Sequence, residues 1–340
     1  MTKTALVTGI FGQDGSYLAK LLLKKKYKVI GTYNKSIKLN WRLKRLGIQD
    51  KIILKKLNLQ NEESINKILK KNKFTEVYNL AGQSVVSGSI EDTINSCENT
   101  ALGVVRILEG LRKFNFKARF FQASSAEMFG NSNKKYQNEN TEFNPRNPYA
   151  ISKLFAHQIC KYYREHHNLY AVSGILYNHE SPLRNEDYVT KKIIKSLVKI
   201  SMGEKIKLQL GNIYTKRDWG YAEEYVEAMW KMLQLSKPQD FVIASGKANT
   251  VKKFIDIAIK NLNINAKWLG KGIDERLIFK SINRINVKIN PKFIRKRENN
   301  LLIGDPRKAN KILKWKSKIN LQKLIKIMIK EELKIYKNRK

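Results

Sequence analysis

Short apolar runs alternate with segments of helical spacing through the first half of the chain. The strand-like runs are KTALVTG, YKVIGTY, KIILKKL, EVYNLAG, ARFFQASS and YAVSGILYN. Between them lie the helical patterns GSYLAKLLLKK, NEESINKILKK, IEDTINSCENTALGVVRILEGLRKF and a segment at about 147–167. Because strands that alternate with helices form parallel sheets with right-handed crossovers, the pattern predicts an α/β fold with a Rossmann-type doubly wound parallel sheet.

This rhythm changes after residue 178. NHESPLR is predicted as a loop and YVTKKIIKSLVKIS as a helix. Shorter, mixed pieces follow, namely KIKLQLG, the helix YAEEYVEAMWKMLQL, DFVIASG and a basic helix from about 320. We expect a dinucleotide-binding domain over 1–178, with returning segments at about 213–245, and a smaller interleaved lobe over 179–340.

Composition narrows the class of protein. The chain has 340 residues, of which 42% are hydrophobic and 28% charged, as in ordinary globular proteins. It contains no apolar run of about 18 residues and no signal-peptide pattern, so no membrane insertion is expected. Two cysteines, Cys97 and Cys160, indicate a reducing compartment and predict a cytoplasmic location.

The formal net charge of +38 raises the question of a polyanionic partner. The lysines are spread over predicted helix faces, and no RNA- or DNA-binding module accompanies them. We therefore expect no specific nucleic-acid partner, although the charge would attract an anionic substrate.

The first strand leads into a glycine-rich turn, VTGIFGQDGSYLA, that opens a helix. Gly9, Gly12 and Gly15 allow a tight turn and a close approach of the backbone to a pyrophosphate, which the helix N-terminus would bind. Phe11, Gln13 and Asp14 stand between the glycines. This context of strand, glycines and helix predicts a dinucleotide cofactor.

The end of the second strand favours NADP over NAD. A site for NAD would carry Asp or Glu to hold the ribose 2′-hydroxyl, and neither occurs between Gly31 and Gln49. Lys35, Lys38 and Arg42 are available to a 2′-phosphate instead.

Two later strand ends complete the predicted cofactor path. Asn58 and Leu59 follow the third strand and could reach the adenine. The segment NLAGQS, with Leu80, Ala81 and Gln83, has small residues that leave room for the cofactor.

NPYAISK places Tyr149 and Lys153 four residues apart on one helix face. A nearby ammonium lowers the pKa of a phenol, which can then accept a hydroxyl proton as hydride leaves the carbon. Lys153 could also hold the nicotinamide ribose, and Ser125 could hydrogen-bond the phenol oxygen. No Cys, His, Asp or Glu spacing indicates a metal site.

Together these motifs resemble the GDP-mannose 4,6-dehydratase family of extended short-chain dehydrogenases/reductases. The resemblance covers TGIFGQDGSYLA, NLAGQS, QASSAEMFG, PRNPYAISK, GILYNHESPLR, LGNIYTKRDWGYAEEYVEAMW and LLIGDPRKAN. NHESP and KRDWG are its most specific parts. It implies NADP as cofactor, a GDP-sugar as substrate, a nucleotide-sugar-binding smaller lobe and a homo-oligomer.

The resemblance assigns a role to Glu127. Reductases and epimerases of this group lack a glutamate at this place, whereas the similar dehydratases use it to remove the C5 proton and to protonate the departing C6 hydroxyl. Strand alternation would put Ser125 and Glu127 on one face, toward the sugar.

Further residues come from the resemblance alone. His179 and Arg184 would lie near the nicotinamide and the cofactor phosphates. The substrate would be contacted by Ser84, Asn178, Lys192, Arg217 and Arg295.

The chain departs from the family pattern in places that bear on the substrate. Ser125 stands where relatives often have threonine, and NLAGQSVVSGS differs from the usual NLAAQSHV. The second difference is similar to the GDP-manno-heptose 4,6-dehydratase branch, which is the main alternative. A GDP-keto-sugar reductase or epimerase of the same fold is the other.

Overall fold

The computed structural model describes residues 2–34, 36, 40–82, 86–279, 284–294 and 301–338. In chain order the strands are β1 Thr4–Thr8, β2 Lys28–Tyr33, β3 Ile53–Lys56, β4 Glu76–Asn79, β5 Arg119–Ser125, β6 Ala171–Leu176, β7 Asn178–Glu180, β8 Leu208–Leu210, β9 Lys216–Tyr221, β10 Phe241–Ile243, β11 Ala248–Thr250, β12 Ala266–Leu269, β13 Arg276–Phe279 and β14 Arg284–Ile289.

The α-helices follow the predicted alternation in the first half. They are α1 Gln13–Lys24, α2 Trp41–Arg45, α3 Glu62–Lys71, α4 Val86–Glu91, α5 Thr93–Cys97, α6 Gly103–Phe114, α7 Pro148–His166, α8 Val189–Ser201, α9 Ala222–Met232, α10 Val251–Asn261, α11 Arg307–Ile312 and α12 Leu321–Lys337. A π-helical turn, Glu98–Leu102, joins α5 to α6.

The main sheet has seven parallel strands in the order β10-β6-β5-β4-β1-β2-β3. Successive residues of a strand face opposite sides, so Ala5 and Val7 pack with α1 and α9, while Leu6 packs with α3 and α6. The Rossmann-type doubly wound prediction is therefore confirmed. Strand order reverses between β1 and β4, which places a ligand crevice at the carboxyl ends of these strands.

The later part of the chain builds a second core beside this sheet. A four-stranded sheet, β12-β13-β14-β8, and helices α8, α10 and α12 bury one another's apolar faces. A three-stranded sheet, β11-β9-β7, connects this core to the main sheet. The segment predicted to return to the first domain contributes β10 to the main sheet, whereas its β9 belongs to the three-stranded sheet. The proposed division at residue 178 stays a prediction.

Two local predictions were wrong. The helix expected over 90–114 is interrupted, because the side chain of Asp92 accepts a hydrogen bond from Asn95 N and begins a new helix there. NHESPLR was expected to be a loop, but its first three residues form β7, which pairs in parallel with β9.

Candidate active site

The glycine turn brings backbone to backbone at the crevice. Gly9 has a φ of +66°, a conformation that side chains disfavour, and a Cβ there would lie 2.9 Å from Ala81 N. A Cβ at Gly15 would overlap the carbonyl oxygen of Gly9. Gly12 then stands as the N-cap of α1, so the first N–H groups of that helix face the crevice.

A cleft of about 470 Å³ opens along this turn. Ten of the predicted cofactor residues line it, namely Gly9, Phe11, Gly12, Gln13, Asp14, Gly15, Leu59, Leu80, Ala81 and Arg184. Its length from the end of β2 to Arg184, past the glycine turn, suits an extended dinucleotide.

Nine further residues that line this cleft were not predicted from the sequence. They are Thr32, Tyr33, Asn34, Leu57, Gly82, Asp92, Asn95, Ser96 and Asn99. The hydroxyl of Ser96 is buried and has no hydrogen-bond partner among the described residues. A buried polar atom of this kind is expected to be paired, so Ser96 supports a polar ligand in the cleft. The polar residues recurring one turn apart in DTINSCEN were the available signal.

A network of ion pairs and hydrogen bonds, here called the seam, joins the start of α1 to β7 and the residues after it. It consists of Gln13, Asp14, Arg42 and residues 179–184. His179 binds Asp14 Oδ2 through Nε2 at 2.7 Å, and its Nδ1 donates to Tyr177 O at 2.7 Å. Burial alone would lower the pKa of His179, but the Asp14 carboxylate raises it above its ordinary value. Burial likewise opposes the charge of Asp14, yet His179 and Arg184 hold the pKa of this carboxyl below its usual range. The seam therefore carries a charged pair.

Neutral side chains reinforce the same seam. Gln13 donates from Nε2 to His179 O at 3.0 Å and accepts from Ser181 Oγ at 2.7 Å. Leu183 N in turn donates to Ser181 Oγ at 3.0 Å. Hydrogen bonds from both its side chains and its backbone thus hold the segment 179–184 against the start of α1.

Two arginines complete the seam. Arg184 lies 3.2 Å from the Glu180 carboxylate, with its guanidinium carbon 3.5 Å from the centre of the Tyr188 ring. Arg42 donates to Leu183 O at 2.7 Å and to Phe11 O at 2.8 Å. Arg42 was predicted to be available to a 2′-phosphate. Its Nε and Nη1 instead donate to backbone carbonyls, and these two bonds connect α2 to Leu183 and to the glycine turn.

At the end of β5 lies a second group of polar side chains, the Tyr149 site, consisting of Ser125, Glu127, Tyr149 and Lys153. Tyr149 is half-buried near the start of α7, where its N–H donates to Ser89 Oγ at 3.2 Å. Burial raises the pKa of the Tyr149 phenol, and its hydrogen bond with Ser125 acts in the opposite direction. Ser125 therefore lies close enough to Tyr149 to affect the pKa of its phenol.

Lys153 stands one turn further along α7. It is buried, and its Nζ donates to Ala123 O at 2.7 Å and lies 5.8 Å from the centre of the Tyr149 ring. Burial lowers the pKa of Lys153 to about 8, with partial compensation from Asp14. The ammonium therefore connects the Tyr149 site electrostatically to the seam.

Glu127 does not lie on a strand, contrary to the expectation of strand alternation. β5 ends at Ser125, and Ala126–Phe129 forms a 3₁₀ turn whose first N–H groups need a cap. Ser125 Oγ accepts from Glu127 N at 3.2 Å and supplies this cap. The turn leaves Glu127 partly exposed, and its carboxylate acts on the Tyr149 phenol. Ser125 and Glu127 are therefore brought together by the 3₁₀ turn and not by the alternation of side chains along a strand.

The structure places the remaining predicted residues as follows. Asn58 is exposed, and its Oδ1 accepts from Gln60 N at 3.1 Å. Asn178 begins β7 opposite Trp219, and Arg217 lies on the adjacent β9. Lys192, on α8, donates to Gln209 O at 3.2 Å. Five residues fall outside the described residues: Lys35, Lys38, Gln83, Ser84 and Arg295.

The described part of the chain holds no group of three or more His, Cys, Asp or Glu residues suited to a metal ion. None of its helices is both long and apolar enough to cross a membrane.

Comparison with known proteins gives a consistent family. The sequence profile of the family described as GDP-mannose 4,6 dehydratase matches residues 6–328. A protein of that name from Drosophila melanogaster is 42% identical over 98% of this chain and 87% of its own length. GDP-mannose 4,6 dehydratase 1 of Arabidopsis thaliana is 42% identical over 99% of this chain and 92% of its own length.

Solved structures share the fold at lower identity. The dTDP-glucose 4,6-dehydratase of Bacillus anthracis, in complex with NAD, superposes with a TM-score of 0.81 at 18% identity, covering 99% of this chain and 98% of that one. The UDP-glucose 4-epimerase of Thermotoga maritima superposes with a TM-score of 0.82 at 19% identity, covering 99% and 100%.

Proposed function

Because the chain belongs to the GDP-mannose 4,6-dehydratase family, we propose that it removes water from GDP-mannose, or from a GDP-linked sugar of manno configuration, to give the 4-keto-6-deoxy product. The observation that carries the proposal is the position of Glu127. Glu127 is capped by Ser125 and its carboxylate acts electrostatically on the Tyr149 phenol, so one site offers a group for O4 and a second for C5 and C6.

The cofactor of the proposed reaction is NADP. When bound, it would accept hydride from C4 and return it to C6, so the reaction consumes no net reductant. Two observations support a dinucleotide in the cleft, namely the glycine turn and the orphaned Ser96 hydroxyl. Tyr33 and Asn34 line the cleft at the end of β2, and no Asp or Glu that could hold a ribose 2′-hydroxyl occurs between Gly31 and Gln49.

The residues of the Tyr149 site would move the protons. The Ser125 hydroxyl and the Lys153 ammonium stabilise the Tyr149 phenolate, which accepts the O4 proton and becomes the neutral phenol. The 4-ketone acidifies the C5 hydrogen, which Glu127 removes. The same carboxyl then protonates the departing C6 hydroxyl, so that water leaves. A side chain that acts as base and then as acid has to reach both atoms, which the 3₁₀ turn allows.

The test uses the purified chain without added reductant. It is incubated with GDP-mannose and, separately, with GDP-manno-heptose, with either NADP or NAD, and the products are weighed by mass spectrometry. Loss of one water identifies the dehydratase, the faster sugar identifies the branch, and the faster dinucleotide identifies the cofactor. Product formed only in proportion to added NADPH would instead identify a reductase.

Glu127→Gln sharpens this test. We expect loss of water to fall by about 10³-fold, since general acid–base groups contribute about 10²–10⁴-fold, while oxidation of C4 by the bound dinucleotide persists. Glu142→Gln, an exposed carboxyl in a neighbouring loop, is the matched control and keeps wild-type turnover. Normal dehydration by the Glu127 variant would remove this residue from the mechanism.

We also propose that the chain forms a homo-oligomer through the face of α4, α5 and α7. Five large apolar side chains are exposed on these helices and the following π turn, namely Ile90, Ile94, Leu102, Ile151 and Phe155. No Lys or Arg occurs from residue 74 to residue 105, although they make up 67 of the 340 residues. Two copies that each carry a charge of +38 repel each other least if they meet at surfaces without lysine or arginine. This apolar face is therefore the surface at which we expect a second copy to bind.

Sedimentation velocity tests the oligomer. Phe155→Glu is expected to convert the assembly into smaller species, because it buries a carboxylate in the apolar face. Phe116→Glu is the control, since Phe116 is also exposed and lies beside Lys117, outside that face. An unchanged sedimentation coefficient for the Phe155 variant would contradict the proposed interface.

The proposed location is the cytoplasm. Cys97 and Cys160 are both free, as a reducing compartment requires. Fractionation of intact cells by immunoblotting would test this location, and recovery outside the cytoplasmic fraction would contradict it.

A further inference from the structure

The last helix, α12, contains the chain's final two acidic residues, Glu331 and Glu332. No other Asp or Glu follows Asp305, although lysines are frequent in this segment. Both carboxylates are engaged in ion pairs, and the two pairs reach different helices. Arg45 Nη2 lies 2.9 Å from Glu331 Oε2, and Lys191 Nζ lies 2.6 Å from Glu332 Oε2.

The pair of Lys191 and Glu332 is buried, with 6% and 9% of the side chains exposed. Lys191 uses a second N–H to donate to Pro182 O at 3.1 Å. An ammonium in this setting needs its counterion, because a buried charge without a partner is strongly unfavourable. Glu332 therefore determines whether Lys191 can hold the Pro182 carbonyl.

Pro182 belongs to the seam beside the cleft. The next carbonyl, Leu183 O, accepts from Arg42, which also binds Phe11 O in the glycine turn. The residue after that, Arg184, lines the cleft itself. A shift of the Pro182 carbonyl is thus transmitted over two residues to a guanidinium in the cleft and to the turn opposite it.

Glu331 acts on the other wall of the same segment. Its partner Arg45 lies on α2, three residues after Arg42. Adjacent residues of a helix point about 100° apart, so Glu331 and Glu332 can reach α2 and α8 at once. The final helix is in this way fixed to both elements that hold residues 182–184.

We propose that Glu332 is a positioning residue for the dinucleotide, acting through Lys191 on the Pro182–Arg184 turn, with Glu331 as a weaker second support. This inference rests on the proposed cofactor binding. It adds that the C-terminal helix, which lies outside the dinucleotide-binding segments predicted from the sequence, sets the cofactor affinity.

Glu332→Gln is the first variant, and calorimetric titration with NADP is the first readout. We expect the dissociation constant to rise about 10-fold, in line with the 0.5–2 kcal/mol that residues remote from a ligand contribute to coupling. Turnover at saturating NADP stays within about 3-fold, because the Tyr149 site is not touched. Glu331→Gln is expected to raise the constant only about 2-fold.

Two controls separate positioning from plain stability. Met328→Ala, in the buried face of α12, is expected to lower the melting temperature while leaving the NADP dissociation constant unchanged. Lys191→Met combined with Glu332→Met removes both buried charges, so its melting temperature is expected to exceed that of Glu332→Gln. Its affinity for NADP stays low, because the donor to Pro182 O is still missing.

The outcomes are distinguishable. Wild-type affinity in both Glu332→Gln and the double methionine variant would overturn the inference, as would a loss of affinity in Met328→Ala as large as that in Glu332→Gln. A wild-type chain that binds neither NADP nor NAD would overturn the proposed function together with this inference.

Discussion

The seam and the Tyr149 site, which are coupled electrostatically through Asp14 and Lys153, handle buried charge differently. In the seam, Asp14 faces His179 and Glu180 faces Arg184, so each charge has a counterion. In the Tyr149 site, Lys153 has a carbonyl oxygen as its partner, and no ion pair of it occurs among the described residues. Burial is shared, so the counterions explain why the pKa of His179 rises while that of Lys153 falls.

This difference teaches what each region is prepared for. Paired charges hold the walls of the seam in one geometry before any ligand arrives. The Tyr149 site keeps a phenol with a raised pKa next to an ammonium with a lowered pKa, because burial favours the neutral form of both side chains. One region is built to stay fixed, and the other to change its protonation.

Tyr149→Phe is expected to have the largest effect on the comparison. Turnover should fall about 10³-fold, since the phenolate is the group that accepts the O4 proton, while the NADP dissociation constant changes by less than about 3-fold. Steady-state kinetics and calorimetric titration measure the two effects. Tyr162→Phe, on the exposed face of the same helix, is the control. Equal losses in turnover and cofactor affinity would erase the distinction between the two regions.

Lys153→Met comes next, with an expected loss of about 10²-fold in turnover. The wild-type rate should decline above pH 8, where the ammonium with a pKa of about 8 loses its proton and no longer stabilises the phenolate. The variant should lack this alkaline limb, and Lys161→Met on the exposed side of α7 should retain it. A wild-type profile that stays flat to pH 10 would contradict this role.

The same shift has a consequence for stability with a definite sign. Folding lowers the pKa of Lys153 from 10.5 to about 8, so the unfolded chain binds more protons between these values. The residue therefore disfavours the folded state below pH 8, and this penalty declines as the pH rises to 10.5.

Asp14→Asn is expected to give the smallest of the three effects, a loss of roughly 2 kcal/mol in the free energy of unfolding at pH 5.5, the size typical of a hydrogen bond to a charged group. The raised pKa of His179 stabilises the fold below 6.5 and is lost as the pH rises through its folded value. The lowered pKa of Asp14 stabilises above 3.8, so both contributions are present between about pH 4 and 6.5.

Urea unfolding at pH 5.5 and 8.5 measures this window. The loss for Asp14→Asn should be smaller at pH 8.5, and Asp50→Asn, an exposed carboxyl, should show little loss at either pH. The same loss at both values would mean that the seam does not depend on a charged pair.

Much of the fold followed from the sequence because the signals were local. Apolar runs and helical periodicity identified the main-sheet strands β1 to β6 but not β10, and glycine spacing identified the turn at Gly9. The helix break at Asp92 was missed because the apolar spacing continues through it, and a single side-chain cap outweighs that pattern.

The candidate site, like the fold, could be predicted from the sequence only in part. The proximity of Ser125 to Tyr149 could be expected from motifs, whereas the double role of Arg42 could not. Its partners, Phe11 O and Leu183 O, are backbone atoms far apart in sequence and leave no trace in residue type. Ser96 was missed although polar residues recur one turn apart around it, because the same pattern fits the exposed face of a continuous helix.

The position of β10 at the edge of the main sheet affects how the chain folds while it is being synthesised. Its partner β6 is buried along its whole length, yet β10 is not synthesised until residues 241–243. At about 5–20 residues per second, a ribosome leaves the β6 edge open for roughly 3–13 s. During that interval the nascent chain exposes an apolar strand edge, so a chaperone that covers such edges should raise the yield of folded protein.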